Sequence, residues 1–242
     1  MNKFELQYKI FGDQSIIIEW EKRIDEIILD DIISLRQKII DSKLFLLDDI
    51  VVGYNSMTLI FESNPVDFKK NIKELKKLYK TRPILNKVER ILWKIPVCYD
   101  RKFGIDLNEI TNNNCISMEE IIHLHTKMIY TVFFIGFLPG FLYLGGLDKK
   151  LHIDRKDTPR LEVSRGSVAI GGSQTGIYPM ESPGGWHIIG RTPVSFFDVN
   201  KTEPCFAKPG DKLKFYSISE KEYLALEREV STGKFNLKKE VL

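Results

Sequence analysis

The sequence predicts an α+β protein made of two unlike parts, with the change near residue 90. Three observations carry this. The first part alternates between the twofold period of strands and the 3.6-residue period of helices. From Tyr130 to about residue 219, short apolar runs follow one another between turns, with little helical pattern. Glycine and proline divide unequally: residues 1–127 hold three Gly and three Pro, and residues 128–242 hold thirteen and seven. The chain has 242 residues, a formal charge of +3, 29% charged and 43% hydrophobic residues. That mixture supports a buried core and excludes global disorder. So small an excess of charge gives no reason to expect a nucleic-acid binder or an acidic-membrane binder.

Each element follows from local pattern. Phe4, Leu6, Tyr8 and Ile10 alternate with Glu5, Gln7 and Lys9, a half-buried strand; Gly12-Asp13 turns the chain into a second strand, Ser15 to Trp20. Ile24, Ile28, Ile32, Leu35 and Ile39 then recur at threes and fours, one face of a helix. Phe45–Val52 and Met57–Phe61 are strands about the Gly53–Ser56 turn. Asn64-Pro65 is a helix start with an Asn cap and Pro in the first turn, and Phe68, Ile72, Leu75 and Leu78 line the helix that follows. Its lysines read as a solvated face. With the strand at Ile91–Val97, this order fits a ferredoxin-like α/β sandwich over residues 1–90. In residues 91–242, Asp106–Thr111 makes a short helical turn. Ser117-Met118-Glu119-Glu120 is a capping box for a helix carrying Ile121, Leu124 and Met128. A small closed β-structure follows, with a last helix over Glu220–Val230.

Cys98, Cys115 and Cys205 are odd in number and widely spaced, so no disulfide framework is expected and a cytoplasmic setting is the simple reading. The first residues lack the apolar stretch of a secretory signal. Met128–Leu147 is uncharged and long enough to span a membrane, but four Gly and a Pro would break it as a helix. Its aromatic residues suit strands and a packed loop, so no membrane association is expected.

Candidate chemistry collects in residues 136–193, which hold eleven Gly and five Pro. There is no GxxxxGK[ST] loop, and Gly171–Gly176 lacks the strand–helix setting of a dinucleotide fingerprint. His187 follows Gly184-Gly185-Trp186 and is the histidine best placed for chemistry. Arg160 offers a planar fork to a carboxylate. Gln174, Tyr178, Ser182 and Thr192 are the polar lining expected around them, with His125 beneath. His125 shares a helix face with Ile121, which also suits a hydrogen-bonded core residue. His123 and His125 point about 200° apart on a helix, and no other His, Cys or Asp spacing suggests a metal.

Taken in order, these turns resemble one family. The pieces are Gly136-Phe137-Leu138-Pro139-Gly140-Phe141, Tyr143-Leu144-Gly145-Gly146-Leu147, Pro159-Arg160, Gly166-Ser167-Val168-Ala169-Ile170, Gln174-Thr175-Gly176-Ile177-Tyr178-Pro179, Ser182-Pro183-Gly184-Gly185-Trp186 and Ile189-Gly190-Arg191-Thr192-Pro193. Gly12-Asp13, Pro96-Val97-Cys98-Tyr99, Asp106-Leu107, and His125 with Tyr130 fit the same pattern upstream. The family is that of the 5-oxoprolinase B component, also called allophanate hydrolase subunit 1, and it includes an inhibitor of a sporulation histidine kinase. One departure is Val163-Ser164-Arg165, where the family usually has Val-Pro-Ala. The resemblance implies a cyclophilin-like β-barrel over residues 91–242, with no implied isomerase activity. It implies a subunit, inactive alone, of an enzyme that couples ATP hydrolysis to opening of 5-oxo-L-proline to L-glutamate, together with subunits A and C. The alternative it carries is an inhibitor that docks on a sensor histidine kinase. A stand-alone binder of a small amide is a third reading.

Overall fold

The computed structural model describes residues 4–62, 66–81 and 89–242. The chain divides into two compact units, Met1–Val88 and Glu89–Leu242, each with its own hydrophobic core.

The first unit contains β1 (Gln7–Phe11), β2 (Ser15–Glu19), α1 (Glu26–Ser42), β3 (Leu47–Val52), β4 (Ser56–Phe61) and α2 (Phe68–Thr81). Its sheet runs β1-β2-β4-β3 and is antiparallel throughout. Helix α1 begins at Asp25, whose side chain accepts from the Ile27 N–H at 2.8 Å. It buries Ile28, Ile32, Leu35 and Ile39 in one core with Ile16, Ile18 and Leu59. Ile24, expected on that face, lies before the cap and is exposed. A buried carboxylate, Asp31, accepts from the Trp20 indole (2.7 Å) and the Tyr79 hydroxyl (2.9 Å), which ties β2, α1 and α2 together. The cap expected at Asn64-Pro65 lies outside the described residues; Asp67 accepts from the Lys70 N–H at 3.0 Å at the start of α2. The sheet has four strands. The strand Ile91–Val97 pairs within the second unit, parallel to Lys212–Ser217 and antiparallel to Lys239–Val241.

The second unit contains β5 (Ile91–Val97), α3 (Leu107–Asn114), α4 (Met118–Lys127), β6 (Tyr130–Ile135), β7 (Leu142–Gly145), β8 (Arg160–Val163), β9 (Ser167–Gly171), β10 (Gln174–Ile177), β11 (Ser182–Gly184), β12 (His187–Arg191), β13 (Lys212–Ser217), α5 (Glu220–Ser231) and β14 (Lys239–Val241). The main sheet runs β12-β9-β10-β7-β6-β13-β5-β14. Among the described residues only β13 and β5 pair in parallel. Cys98, just past β5, and Arg191, ending β12, exchange both backbone hydrogen bonds at 2.9 Å. That bridge joins the first strand of the order to the seventh and closes the sheet on itself. Val132, Leu144, Ile170, Ile177, Leu213 and Phe215 fill the interior together with residues of α3 and α4. The uncharged stretch weighed above as a membrane span is the β6–β7 hairpin region. Among the described residues no helix is long and apolar enough to cross a membrane.

The last helix forms as expected, and the capping box expected at Ser117 forms only in part. Ser117 accepts from the Glu120 N–H at 3.1 Å, as expected, but the Glu120 carboxylate lies 3.5 Å from Lys150. The reciprocal box occurs at α5: the Ser219 hydroxyl accepts from the Glu222 N–H, and Glu222 accepts from the Ser219 N–H at 2.7 Å. The β8–β11 ribbon packs on the outer face of the barrel, where Phe141, Val163, Ala169, Tyr178, Trp186 and Ile188 form a separate cluster.

Candidate functional site

A cavity of about 290 Å³ opens in that outer aromatic cluster. Phe141, Tyr143, Tyr178 and Trp186 make its wall. Phe141 stands edge-on to both Tyr178 (5.2 Å) and Trp186 (5.6 Å), the arrangement favoured by ring quadrupoles. Pro159, Pro183, Gly184 and Gly185 supply the ribbon side of the cavity, and Arg155 and Lys156 its charge. The Arg155 guanidinium sits 5.6 Å from the centre of the Trp186 ring, within cation–π range. Trp186 lies flat on the sheet only because Gly171 is beneath it: a Cβ at 171 would come within 2.6 Å of the indole. Burial pushes the Tyr178 phenol up, partly offset by a hydrogen bond from the Trp186 backbone.

Lys156 connects this cavity to a chain of alternating charges. Arg160 on β8 donates to Asp106, and Lys156 lies 3.2 Å from the same oxygen. The other Asp106 oxygen accepts from the Ile188 N–H at 2.7 Å. Lys156 also donates to Glu109, whose second oxygen faces His187 Nε2 at 3.1 Å. The order is therefore Arg160, Asp106, Lys156, Glu109, His187. It spans β8, the segment before it, α3 and β12. Asp106 is nearly inaccessible, so its charge requires these partners. The contact with Lys156, then that with His187, holds the Glu109 carboxyl below its usual range. Because a carboxylate only accepts, His187 Nε2 carries a proton. His187 Nδ1 and Arg160 Nη1 are buried and have no hydrogen-bond partner among the described residues.

The residues expected from the sequence thus fall in five places. Arg160 and His187 are two members of the charge chain. Tyr178 lines the cavity, and Ser182 is buried beside the lining residue Pro183, its hydroxyl 3.2 Å from the Pro183 carbonyl. Gln174 begins β10, half-buried and outside the cavity lining. Thr192 lines a different and smaller cavity beside α5. His125 is wholly buried in the barrel: Nδ1 meets the Tyr99 hydroxyl at 2.7 Å, Nε2 meets Thr175 Oγ1 at 3.0 Å, and the ring stacks on Phe215. Thr175 spends its own hydrogen on the Ala169 carbonyl, so it accepts from Nε2 and Tyr99 donates to Nδ1. The core alternative is the one the contacts favour for His125. Sequence reasoning missed Asp106, Glu109, Arg155 and Lys156. Their signal was the charged run from Asp148 to Arg160 inside an otherwise glycine-rich segment, and Asp106 opening a helix.

The pattern of the carboxyltransferase domain, subdomains C and D, matches residues 6–207. The chain is 42% identical over 169 residues to the 5-oxoprolinase B component of Bacillus subtilis, covering 70% of this chain and 68% of that one. It is 35% identical over 207 residues to the same-named component of Escherichia coli O157:H7, covering 85% and 93%. Among solved structures, the urea amidolyase of Kluyveromyces lactis superposes with a TM-score of 0.85 at 21% identity, spanning 100% of this chain and 16% of that one; at that identity the likeness is one of fold. The matched pattern, which spans most of the chain, makes this a carboxyltransferase-domain protein. Within that class, the chain belongs to the family of 5-oxoprolinase B components.

Proposed function

We propose that this chain is a subunit of an ATP-dependent 5-oxoprolinase, inactive alone, which with subunits A and C converts 5-oxo-L-proline to L-glutamate in the cytoplasm. The observation that carries the site assignment is the aromatic cavity edged by Arg155 and Lys156 and joined through Lys156 to the charge chain. A lactam ring is apolar on both faces and suits the wall of Phe141, Tyr143, Tyr178 and Trp186. Its carboxylate suits Arg155, which offers a two-pronged fit. In this reading His187 Nδ1 and Arg160 Nη1 are the groups held ready for proton handling and for charge on oxygen. Opening the lactam requires ATP to activate a stable amide. The chain has no Walker-type loop, so we assign nucleotide use to the assembled enzyme and route no step of this site through it. The same reading takes residues 1–90 as a ferredoxin-like sandwich lacking its last strand, and residues 91–242 as a cyclophilin-like barrel.

The test is steady-state kinetics of the reconstituted three-subunit enzyme. Arg155→Met should raise KM for 5-oxoproline about tenfold with kcat little changed, the mark of one lost charge-assisted contact. An unchanged KM would remove the substrate from this cavity.

A further inference from the structure

We propose that a second, smaller cavity binds an oxyanion of phosphate size between the guanidinium groups of Arg165 and Arg191. It lies where the turn before β9 and the end of β12 meet α5, and has a volume of about 140 Å³. Arg165, Arg191, Thr192, Tyr223, Glu227 and Ser231 are its polar lining. Among the described residues neither arginine has a carboxylate within ion-pair distance, whereas the buried Asp106 beside Arg160 shows how this chain neutralises a structural arginine.

The Arg191 side chain and the Arg165 backbone are held in place. Arg191 Nε donates to the Arg165 carbonyl at 2.8 Å, and the Arg191 backbone forms the bridge that closes the barrel. Arg165 sits at a turn fixed by Gly166, which has φ +80° and whose Cβ position would lie 2.3 Å from the Thr192 carbonyl oxygen. No other residue fits that turn without moving the chain. The one acid in the lining, Glu227, accepts from the Tyr223 hydroxyl at 3.0 Å, so the cavity keeps a net positive charge. Two guanidiniums lining a space of this size suit an anion of phosphate size. The site does not rest on the lactam reading, because it shares no lining residue with the aromatic cavity.

The test is thermal unfolding of the full chain in inorganic phosphate at constant ionic strength, with chloride as the balancing anion and acetate as a parallel arm. Phosphate should raise Tm saturably. Arg165→Gln and Arg191→Gln should each weaken the apparent affinity at least tenfold, and Glu227→Gln should strengthen it several-fold. Arg165 is exposed, so its variant remains informative if Arg191→Gln disturbs the barrel closure. No saturable phosphate effect, a stronger response to acetate, or undiminished binding in Arg165→Gln would each overturn the proposal.

Discussion

His125 shows how far one residue can be read. Its place beside Ile121 on one helix face was legible, because 3.6-residue spacing is local. Whether that face met a cavity or a core depended on Tyr99, Thr175 and Phe215, which arrive from distant strands. Because the ring is fully buried and cut off from solvent, its pKa falls to about 3. The unfolded chain therefore binds a proton near pH 6.5 that the folded chain refuses. Stability is complete above that pH and is lost as pH falls from 6.5 toward 3, by on the order of 4 kcal/mol at the lower limit. Urea midpoints measured from pH 7 to pH 4 should fall steeply, and His125→Gln, though less stable at pH 7, should show a flatter profile. Equal slopes would mean that the ring titrates in the folded state. Glu109 acts in the same direction at lower pH. Its carboxyl is held below 4.5 by Lys156 and His187, so that contribution is present above 4.5 and disappears as pH falls through the lowered value.

At the scale of elements, most of the strands and helices were legible because their apolar period is strong. The exceptions have identifiable causes. Strand β14 is three exposed residues, Lys239-Glu240-Val241, whose pairing with β5 is set by the sheet and not by its own pattern. Strand β11 is hidden because Pro183 and Gly184 dominate it, and β8 because it is four residues long; they exist as a ribbon by pairing with each other. The Ser219–Glu222 box was present in the sequence and was overlooked in favour of the incomplete one at Ser117. Ser219→Ala should cost about 1 kcal/mol by chemical denaturation, while Ser117→Ala, which loses a single cap bond, should cost no more. Gly171 tests the aromatic wall. Gly171→Ala places a methyl group into the Trp186 ring and should displace the indole, seen as a shifted Trp186 fluorescence maximum and a weaker response to substrate. An unaltered spectrum would mean that β9 can yield without moving the wall.

For the whole molecule, the chain divides between Val88 and Glu89, and the closure of the barrel in the second unit was not legible in the sequence. Closure rests on one backbone bridge, Cys98 to Arg191, between residues 93 positions apart, and no local pattern encodes such a pair. The charge chain is hidden for the same reason: Asp106, Lys156 and His187 are brought together by topology alone. Since the second unit has its own core and a closed sheet, a fragment spanning residues 89–242 should fold by itself, with dispersed amide resonances and cooperative thermal unfolding. The central claim is that this barrel supplies a site the assembled enzyme cannot do without. Its most direct test is 5-oxoproline-dependent ATP hydrolysis by the three reconstituted subunits, comparing the native chain, its omission and His187→Asn. The account predicts loss of coupled hydrolysis on omission and a fall of about a hundredfold or more with His187→Asn in a chain that still assembles. Undiminished hydrolysis without the chain, or with the His187 variant in place, would contradict it.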